Sequence, residues 1–256
     1  MSDIGVTTEG FVTVIEMRRP PHNFFDLGML RAMADALEAL DGDPACRAVV
    51  LCAEGKSFCA GADLAGHEES LLSGESPAAS ALYEQGIRLF RFSKPIVAAL
   101  HGAAIGGGLG LAMTADFRVS CPEARLSANF TRLGVHPGFG LSVTLPRAIG
   151  RQAAAMVLYT SRRLGGEEAA RIGLVDVLVP QGEVRAKALE LATELAGNAP
   201  LALVSTRATQ RAGLADEVEK MLAHELAEQT RLTQTRDFKE GVAAMAERRM
   251  PDFTGE

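Results

Sequence analysis

Two glycine-bearing segments have the residue types and spacing needed to bind a negative charge. SFCAGADL occupies 57–64 and HGAAIGGGLGLA occupies 101–112, and each follows a short apolar segment. Both patterns predict a strand, a tight loop and a helix start, where backbone N–H groups lack a partner within the helix. A GxGxxG phosphate loop does not fit, because Leu111 stands where the last glycine belongs. We therefore predict that each loop supplies one N–H group to a single developing oxyanion.

Four apolar segments are predicted to be the strands of a core that positions these loops. They are residues 11–17, 47–52, 95–100 and 116–120. Asp26 is predicted to cap a helix whose apolar residues recur at helical spacing, namely Leu27, Leu30, Ala34 and Leu37. From about Leu141 onward the pattern is almost entirely that of amphipathic helices. Strands that alternate with helices predict an α/β fold.

Composition excludes several classes of function. The chain has 256 residues and a net charge of −6, and it contains no basic run, which argues against nucleic acid as a partner. No apolar run is long enough to span a membrane, and the first ten residues lack a signal pattern, so a cytoplasmic protein is expected. Cys46, Cys52, Cys59 and Cys121 form no CxxC pair, which predicts reduced core thiols and no metal site.

Further segments follow in a fixed order around the two loops. They are RRPPHNFFD at 18–26, ARLSANFTRLGVHPGFG at 124–140, SRRLGGEEAARIGLVDVLVP at 161–180 and FKEGVAAMAERRMPDF at 238–253. With these segments the chain closely resembles the enoyl-CoA hydratase/isomerase (crotonase) superfamily over nearly its full length. The resemblance implies a spiral of ββα units at 1–198 that holds an acyl-CoA. It also implies a helical C-terminal region at 199–256 that covers the CoA and builds trimers, which in relatives often pair into hexamers.

The resemblance also implies roles for individual residues. Ala62 and Gly107 would donate the two oxyanion-hole N–H groups to the thioester oxygen of an acyl-CoA. The residues implied to contact the CoA are Pro21, His22, Asn23, Ala62, Asp63, Leu64 and, at its 3′-phosphate, Arg248. Arg248 is equally interpretable as a solvated helix end. Coenzyme A is part of the substrate, so no separate cofactor is expected.

The acidic residues of typical hydratases are absent at the matching positions. Relatives carry one glutamate at the position of Gly110 and another at that of Phe130, and some place an aspartate where Gly138 follows Pro137. Water addition needs a general acid and a general base, and neither glycine nor phenylalanine can transfer a proton. His136 is the first candidate for a replacement, since imidazole titrates near neutrality, but the interpretation favoured for it is a residue that only lines the turn.

These observations lead to one principal hypothesis and two alternatives. The principal hypothesis is a lyase or isomerase of this superfamily that stabilises an enolate-like oxyanion of an acyl-CoA thioester. The first alternative is decarboxylation or thioester hydrolysis at the same oxyanion hole. The second alternative is a non-catalytic acyl-CoA-binding protein. Asn129 could orient a water molecule or the substrate, but it cannot act as a base.

Overall fold

The fold is built on two β-sheets. The computed structural model describes residues 3–63 and 77–256. The larger sheet contains, in spatial order, β1 (Ile4–Glu9), β2 (Val12–Met17), β3 (Ala48–Ala53), β5 (Ile96–Leu100), β7 (Phe117–Ser120) and β10 (Val177–Leu178). The smaller sheet contains β4 (Ser57–Cys59), β6 (Ala103–Ile105), β8 (Arg125–Ser127) and β9 (Leu164–Gly165).

The two sheets are linked by a repeated pair of strands. β3, β5 and β7 are neighbours in the larger sheet, and each is followed by a short strand, β4, β6 or β8, that enters the smaller sheet. Strands within each of these two sets pair in parallel. The four strands predicted from the sequence are confirmed as β2, β3, β5 and β7. The repetition is the ββ part of the predicted ββα spiral.

The central strands β3 and β5 are apolar at every position because both faces of the sheet are covered there. In β3, Val49 and Leu51 belong to one core cluster, and Val50 and Cys52 belong to another on the opposite face. Side chains of a strand alternate between the two faces, so a strand covered on both faces needs a continuous apolar run.

Nine α-helices cover the sheets within the described residues. They are α1 (Leu27–Asp41), α2 (Pro77–Arg91), α3 (Gly107–Ala112), α4 (Leu141–Thr160), α5 (Gly166–Arg171), α6 (Val184–Ala196), α7 (Pro200–Gln210), α8 (Leu214–Thr233) and α9 (Arg236–Glu247). The predicted cap of α1 is confirmed, because Asp26 Oδ1 accepts a hydrogen bond of 2.8 Å from the Met29 N–H. No helix in the described part of the chain is long and apolar enough to cross a membrane.

The C-terminal helices pack on other helices of the chain. α8 packs against α2 and α4, and α9 packs against the short 3₁₀ helix at Thr131–Leu133. α7 has no buried residue in the single chain, and Leu201 is 86% exposed. The division at residue 198 and the assembly into trimers or hexamers stay predictions.

Candidate active site

Both glycine-bearing loops line one cavity of about 470 Å³. Ala60 to Asp63 form one part of its wall, and Ile105 to Gly107 form the part next to it. Most of the remaining wall is apolar, with Phe25, Leu82, Phe130, Leu133, Phe139 and Met245 contributing to it. The prediction that the two loops meet at one site is therefore supported by the fold. An apolar cavity with few polar groups is typical of a small-molecule site.

The backbone of Ala62 is held in an extended conformation by Phe25. Phe25 donates its N–H to the Gly61 carbonyl at 3.0 Å, and its own carbonyl accepts the Asp63 N–H at 2.8 Å. Successive N–H groups of an extended chain point to opposite sides, so the Ala62 N–H points away from Phe25. It has no acceptor among residues 3–63 and 77–256.

Gly107 provides the second unpaired amide. It is the first residue of α3, and its N–H finds no acceptor in the described part of the chain. The first amides of a helix have no partner within it, whereas Gly110 N already reaches the Gly106 carbonyl at 3.1 Å. A Cβ built on Gly107 would lie 3.9 Å from the Ala62 amide nitrogen. The two unpaired amides are thus close enough to bind one oxygen atom.

Gly108 explains why the helix start can lie so close to the first loop. A Cβ at this position would lie 2.1 Å from the carbonyl oxygen of Cys59 in β4, so only glycine fits. The first turn of α3 therefore packs directly on the strand that leads into the Ala62 loop. This contact fixes the two amide-bearing segments relative to each other.

Gly110 allows a different close contact, with an aromatic ring. A Cβ built on Gly110 would lie 2.6 Å from the Cβ of Phe139 and 3.0 Å from its ring. Phe139 also packs on Phe25, with their ring centroids 5.4 Å apart. The space into which a side chain at position 110 would extend is therefore filled by Phe139.

The other two positions that lack an acidic residue lie directly at the cavity. Phe130 is 9% exposed and presents an apolar side chain to it. Gly138 also lines the cavity, and a Cβ there would lie 2.5 Å from both Tyr83 Oη and Gln229 Nε2. Gly138 is therefore surrounded by neutral polar groups, whereas Phe130 makes its own part of the wall apolar. An apolar wall at Phe130 disfavours an ordered attacking water at that position.

A buried hydrogen-bond pair ties helix α8 to this wall. Tyr83 Oη donates to Gln229 Oε1 at 2.6 Å, and Gln229 Nε2 donates to the His136 carbonyl at 3.0 Å. Burial raises the pKa of Tyr83, and the nearby carboxylate of Glu225 adds to this effect. Tyr83 is therefore a neutral phenol across the physiological pH range.

Glu225 fixes the loop that carries Phe139. Its carboxylate is fully buried and accepts the N–H groups of Gly140 at 2.9 Å and Ser142 at 3.1 Å. Burial raises the pKa of Glu225 to about 7, and the hydrogen bonds from Ser142 and Gly140 oppose that increase only in part.

Glu225 is expected to make stability depend on pH. Because its folded-state pKa lies above the ordinary value of 4.5, the folded protein binds this proton more tightly than the unfolded chain. Its contribution to the free energy of unfolding is complete below pH 4.5 and is lost as the pH rises through about 7. The loss amounts to about 3 kcal/mol, at roughly 1.4 kcal/mol per pKa unit.

Urea unfolding of the wild type and of Glu225→Gln between pH 4.5 and 8 tests this expectation. The difference in unfolding free energy between the two proteins should change across that interval. Glu228→Gln, on the same helix but at a carboxylate paired with Arg231, is the control and should retain the pH dependence of the wild type. Parallel pH profiles for wild type and Glu225→Gln would contradict the expectation.

The structure does not bring His136 together with the two amides. Its Nδ1 lies 2.7 Å from the Pro137 carbonyl oxygen, and its ring packs edge-on against His224 at 5.6 Å. His136 is not among the residues that line the cavity. This position agrees with the alternative interpretation of a residue that lines the turn, and the catalytic role stays a prediction.

The residues predicted to contact CoA are divided among several environments. His22 and Asp63 line the cavity, as does Ala62, whereas Pro21 is exposed and does not. Leu64 lies outside the described residues. Arg248 is exposed at the end of α9, the helix whose Met245 reaches the cavity. Contact between these residues and CoA stays a prediction.

Asn23 has a structural role that the sequence does not reveal. Its side chain is completely buried, and its Nδ2 donates to the carbonyls of Glu54 at 2.7 Å and Ser57 at 2.8 Å. Its Oδ1 accepts the Arg19 N–H at 2.9 Å. This side chain holds the 18–26 segment against the start of β4, so it is not available to a ligand.

Four further site residues are missed by sequence reasoning: Phe25, Tyr83, Phe139 and Gln229. Phe25 and Phe139 lie in the quoted segments, but nothing in their local pattern indicates that they meet. Tyr83 and Gln229 lie on amphipathic helices. In α8 the available signal was that polar residues continue the buried face, since Gln229 follows Val218 and Leu222 at helical spacing.

Comparison with known proteins gives concordant results. The family model described as enoyl-CoA hydratase/isomerase matches residues 7–256. A crotonyl-CoA hydratase of Syntrophomonas wolfei is 33% identical, with 94% of each chain covered. A short-chain-enoyl-CoA hydratase of Clostridium acetobutylicum is 31% identical over 97% of this chain and 96% of that one. The crystal structure of an enoyl-CoA hydratase/isomerase from Pseudoalteromonas atlantica superposes with a TM-score of 0.87 at 30% identity, covering 99% of this chain and 100% of that one. The predicted spiral fold is confirmed.

Proposed function

The chain belongs to the enoyl-CoA hydratase/isomerase family, and we propose that it acts on an acyl-CoA thioester by stabilising an enolate-like oxyanion. The observation that carries this proposal is the pair of amides at Ala62 and Gly107. Both lack an acceptor within residues 3–63 and 77–256, and both segments line the same cavity. An N–H group that has no acceptor in the protein is stabilised when a ligand oxygen in the cavity accepts a hydrogen bond from it.

The proposed chemistry follows from where negative charge develops. When a bond at the α-carbon or β-carbon of a thioester changes, electron density moves onto the carbonyl oxygen. Two fixed N–H donors stabilise that oxygen more strongly in the transition state than in the ground state, which lowers the barrier. The apolar wall lowers the local dielectric constant and strengthens both hydrogen bonds.

The names of the similar proteins support a lyase or isomerase reaction. The relatives from S. wolfei and C. acetobutylicum are named hydratases of crotonyl-CoA and of short-chain enoyl-CoAs. For this chain the proton transfers need a different route from the two glutamates of typical hydratases, because Gly110 and Phe130 occupy those positions.

Decarboxylation of a malonyl-type thioester is the second candidate. In this reaction the bond between the α-carbon and its carboxylate breaks, CO₂ leaves, and the electron pair forms the thioester enolate. Solvent then protonates the α-carbon. The contact between Gly110 and Phe139 favours this candidate, because the first step needs oxyanion stabilisation but no general base.

A panel of thioesters tests the proposal. Crotonyl-CoA, 3-hydroxybutyryl-CoA, a 3-enoyl-CoA and methylmalonyl-CoA are each incubated with the protein, and products are followed by mass spectrometry, CO₂ release and free-thiol release. We expect turnover of at least one thioester without thiol release. Turnover accompanied by free thiol would instead favour thioester hydrolysis.

Binding measurements distinguish catalysis from binding without turnover. Calorimetric binding of these thioesters with no turnover would favour the non-catalytic alternative. If no member of the panel were bound or turned over, the proposed function would be wrong.

A further inference from the structure

Asn129 is the carboxamide of the cavity that no other part of the site uses. It follows β8, lines the cavity and is partly exposed. Its Oδ1 would lie 3.1 Å from a Cβ built on Gly106, the residue immediately before the Gly107 amide. The carboxamide therefore lies next to one of the two proposed oxyanion donors.

The hydrogen bonds of Asn129 are not satisfied within the protein. Its side chain has no hydrogen-bond partner in residues 3–63 and 77–256. Gln229, the other carboxamide at the cavity, is by contrast engaged at both ends, by Tyr83 and by the His136 carbonyl. Both polar atoms of the Asn129 side chain are also accessible to solvent. If they were fully buried, they would belong to the buried atoms that lack a partner, and they do not.

An unpaired carboxamide at an apolar cavity discriminates between ligands. A plain alkyl acyl group that fills the cavity displaces water from Asn129 and supplies no hydrogen bond in return. An acyl group with an oxygen atom at the right position replaces that water. The neighbouring Phe130 and Leu133 supply apolar contact for the rest of the chain.

We propose that Asn129 is a specificity-determining residue that hydrogen-bonds an oxygen substituent of the acyl group, close to the thioester. The substrate class is an acyl-CoA with a hydroxyl, carbonyl or carboxylate oxygen on its β-carbon. A carboxamide both donates and accepts hydrogen bonds, so it can pair with each of these groups. This inference rests on the proposed function, since it places the thioester at Ala62 and Gly107.

Unreactive thioethers test the inference without interference from turnover. S-butyl-CoA, S-(3-hydroxybutyl)-CoA and S-(3-oxobutyl)-CoA form a matched set, and S-propyl-CoA is paired with S-(2-carboxyethyl)-CoA. Calorimetry measures the affinity of wild type and of Asn129→Leu, a variant of similar size without the carboxamide. Thermal unfolding verifies that the variant is folded.

We expect wild type to bind at least one oxygen-bearing thioether about ten to a hundred times more tightly than its alkyl partner. Asn129→Leu should lose that preference while it binds S-butyl-CoA at least as well as wild type. The oxygen-bearing thioether that is preferred identifies the oxygen substituent as hydroxyl, carbonyl or carboxylate.

Two results would overturn the inference: equal affinities of wild type for all matched thioethers, or a preference that persists in Asn129→Leu. Failure of the proposed function has a different signature. In that case neither these thioethers nor the reactive thioesters would bind to the wild type at all.

Discussion

Replacing Gly107 with proline is expected to lower kcat about 10²–10³-fold on any thioester that the protein turns over. Proline has no N–H, and loss of one oxyanion donor typically costs that much in rate. The first position of a helix tolerates proline, so α3 can still form. The change therefore removes one of the two proposed donors with little effect on secondary structure.

Gly107→Ala is the matched control for this experiment. A Cβ at this position lies 2.7 Å from the Phe25 Cζ, so both variants displace the same ring, but alanine keeps the N–H. Comparison of the two variants therefore isolates the hydrogen bond from the steric change. Steady-state kinetics on the same substrate measure the ratio. Equal kcat values for the two variants would show that the Gly107 N–H is not an oxyanion donor.

The elements that carry the site could be predicted to different extents. β3 and β5 are continuous apolar runs because both faces of the larger sheet are covered, and such runs predict strands. β4, β6 and β8 contain three residues each, which is too short for a periodicity to show. They form strands because the chain leaving the larger sheet pairs with the equivalent segment of the next repeat.

Of the candidate site, only the backbone groups could be predicted from the sequence. The glycine loops indicate where Ala62 and Gly107 stand, since the unpaired amides belong to local turns and helix starts. The contact of Phe139 with Gly110, by contrast, depends on the path of the chain between them. The sequence shows that an acidic residue is missing at position 110, but only the fold shows which side chain fills the space.

A side chain at position 110 is expected to be strongly destabilising. In Gly110→Ala the new methyl group would meet Phe139 Cβ at 2.6 Å, and Phe139 cannot withdraw easily because it packs on Phe25. Overpacking of this kind costs about 1–3 kcal/mol. Gly110→Glu should cost more, because it also buries a carboxylate, and it should not create a hydratase base by itself. Urea unfolding measures both changes.

Gly86→Ala provides the matched control, because Gly86 is also a buried helical glycine that faces Phe139. There a Cβ would lie 3.5 Å from the ring, which is ordinary van der Waals contact. This variant should be neutral or gain up to about 1 kcal/mol from the higher helix propensity of alanine. Combining Gly110→Ala with Phe139→Gly should cost less than the sum of the single changes, since glycine at position 139 removes both the Cβ and the ring that the new methyl group would meet. Additive losses in this cycle, or equal effects at positions 86 and 110, would mean that Phe139 does not determine which residue position 110 accepts.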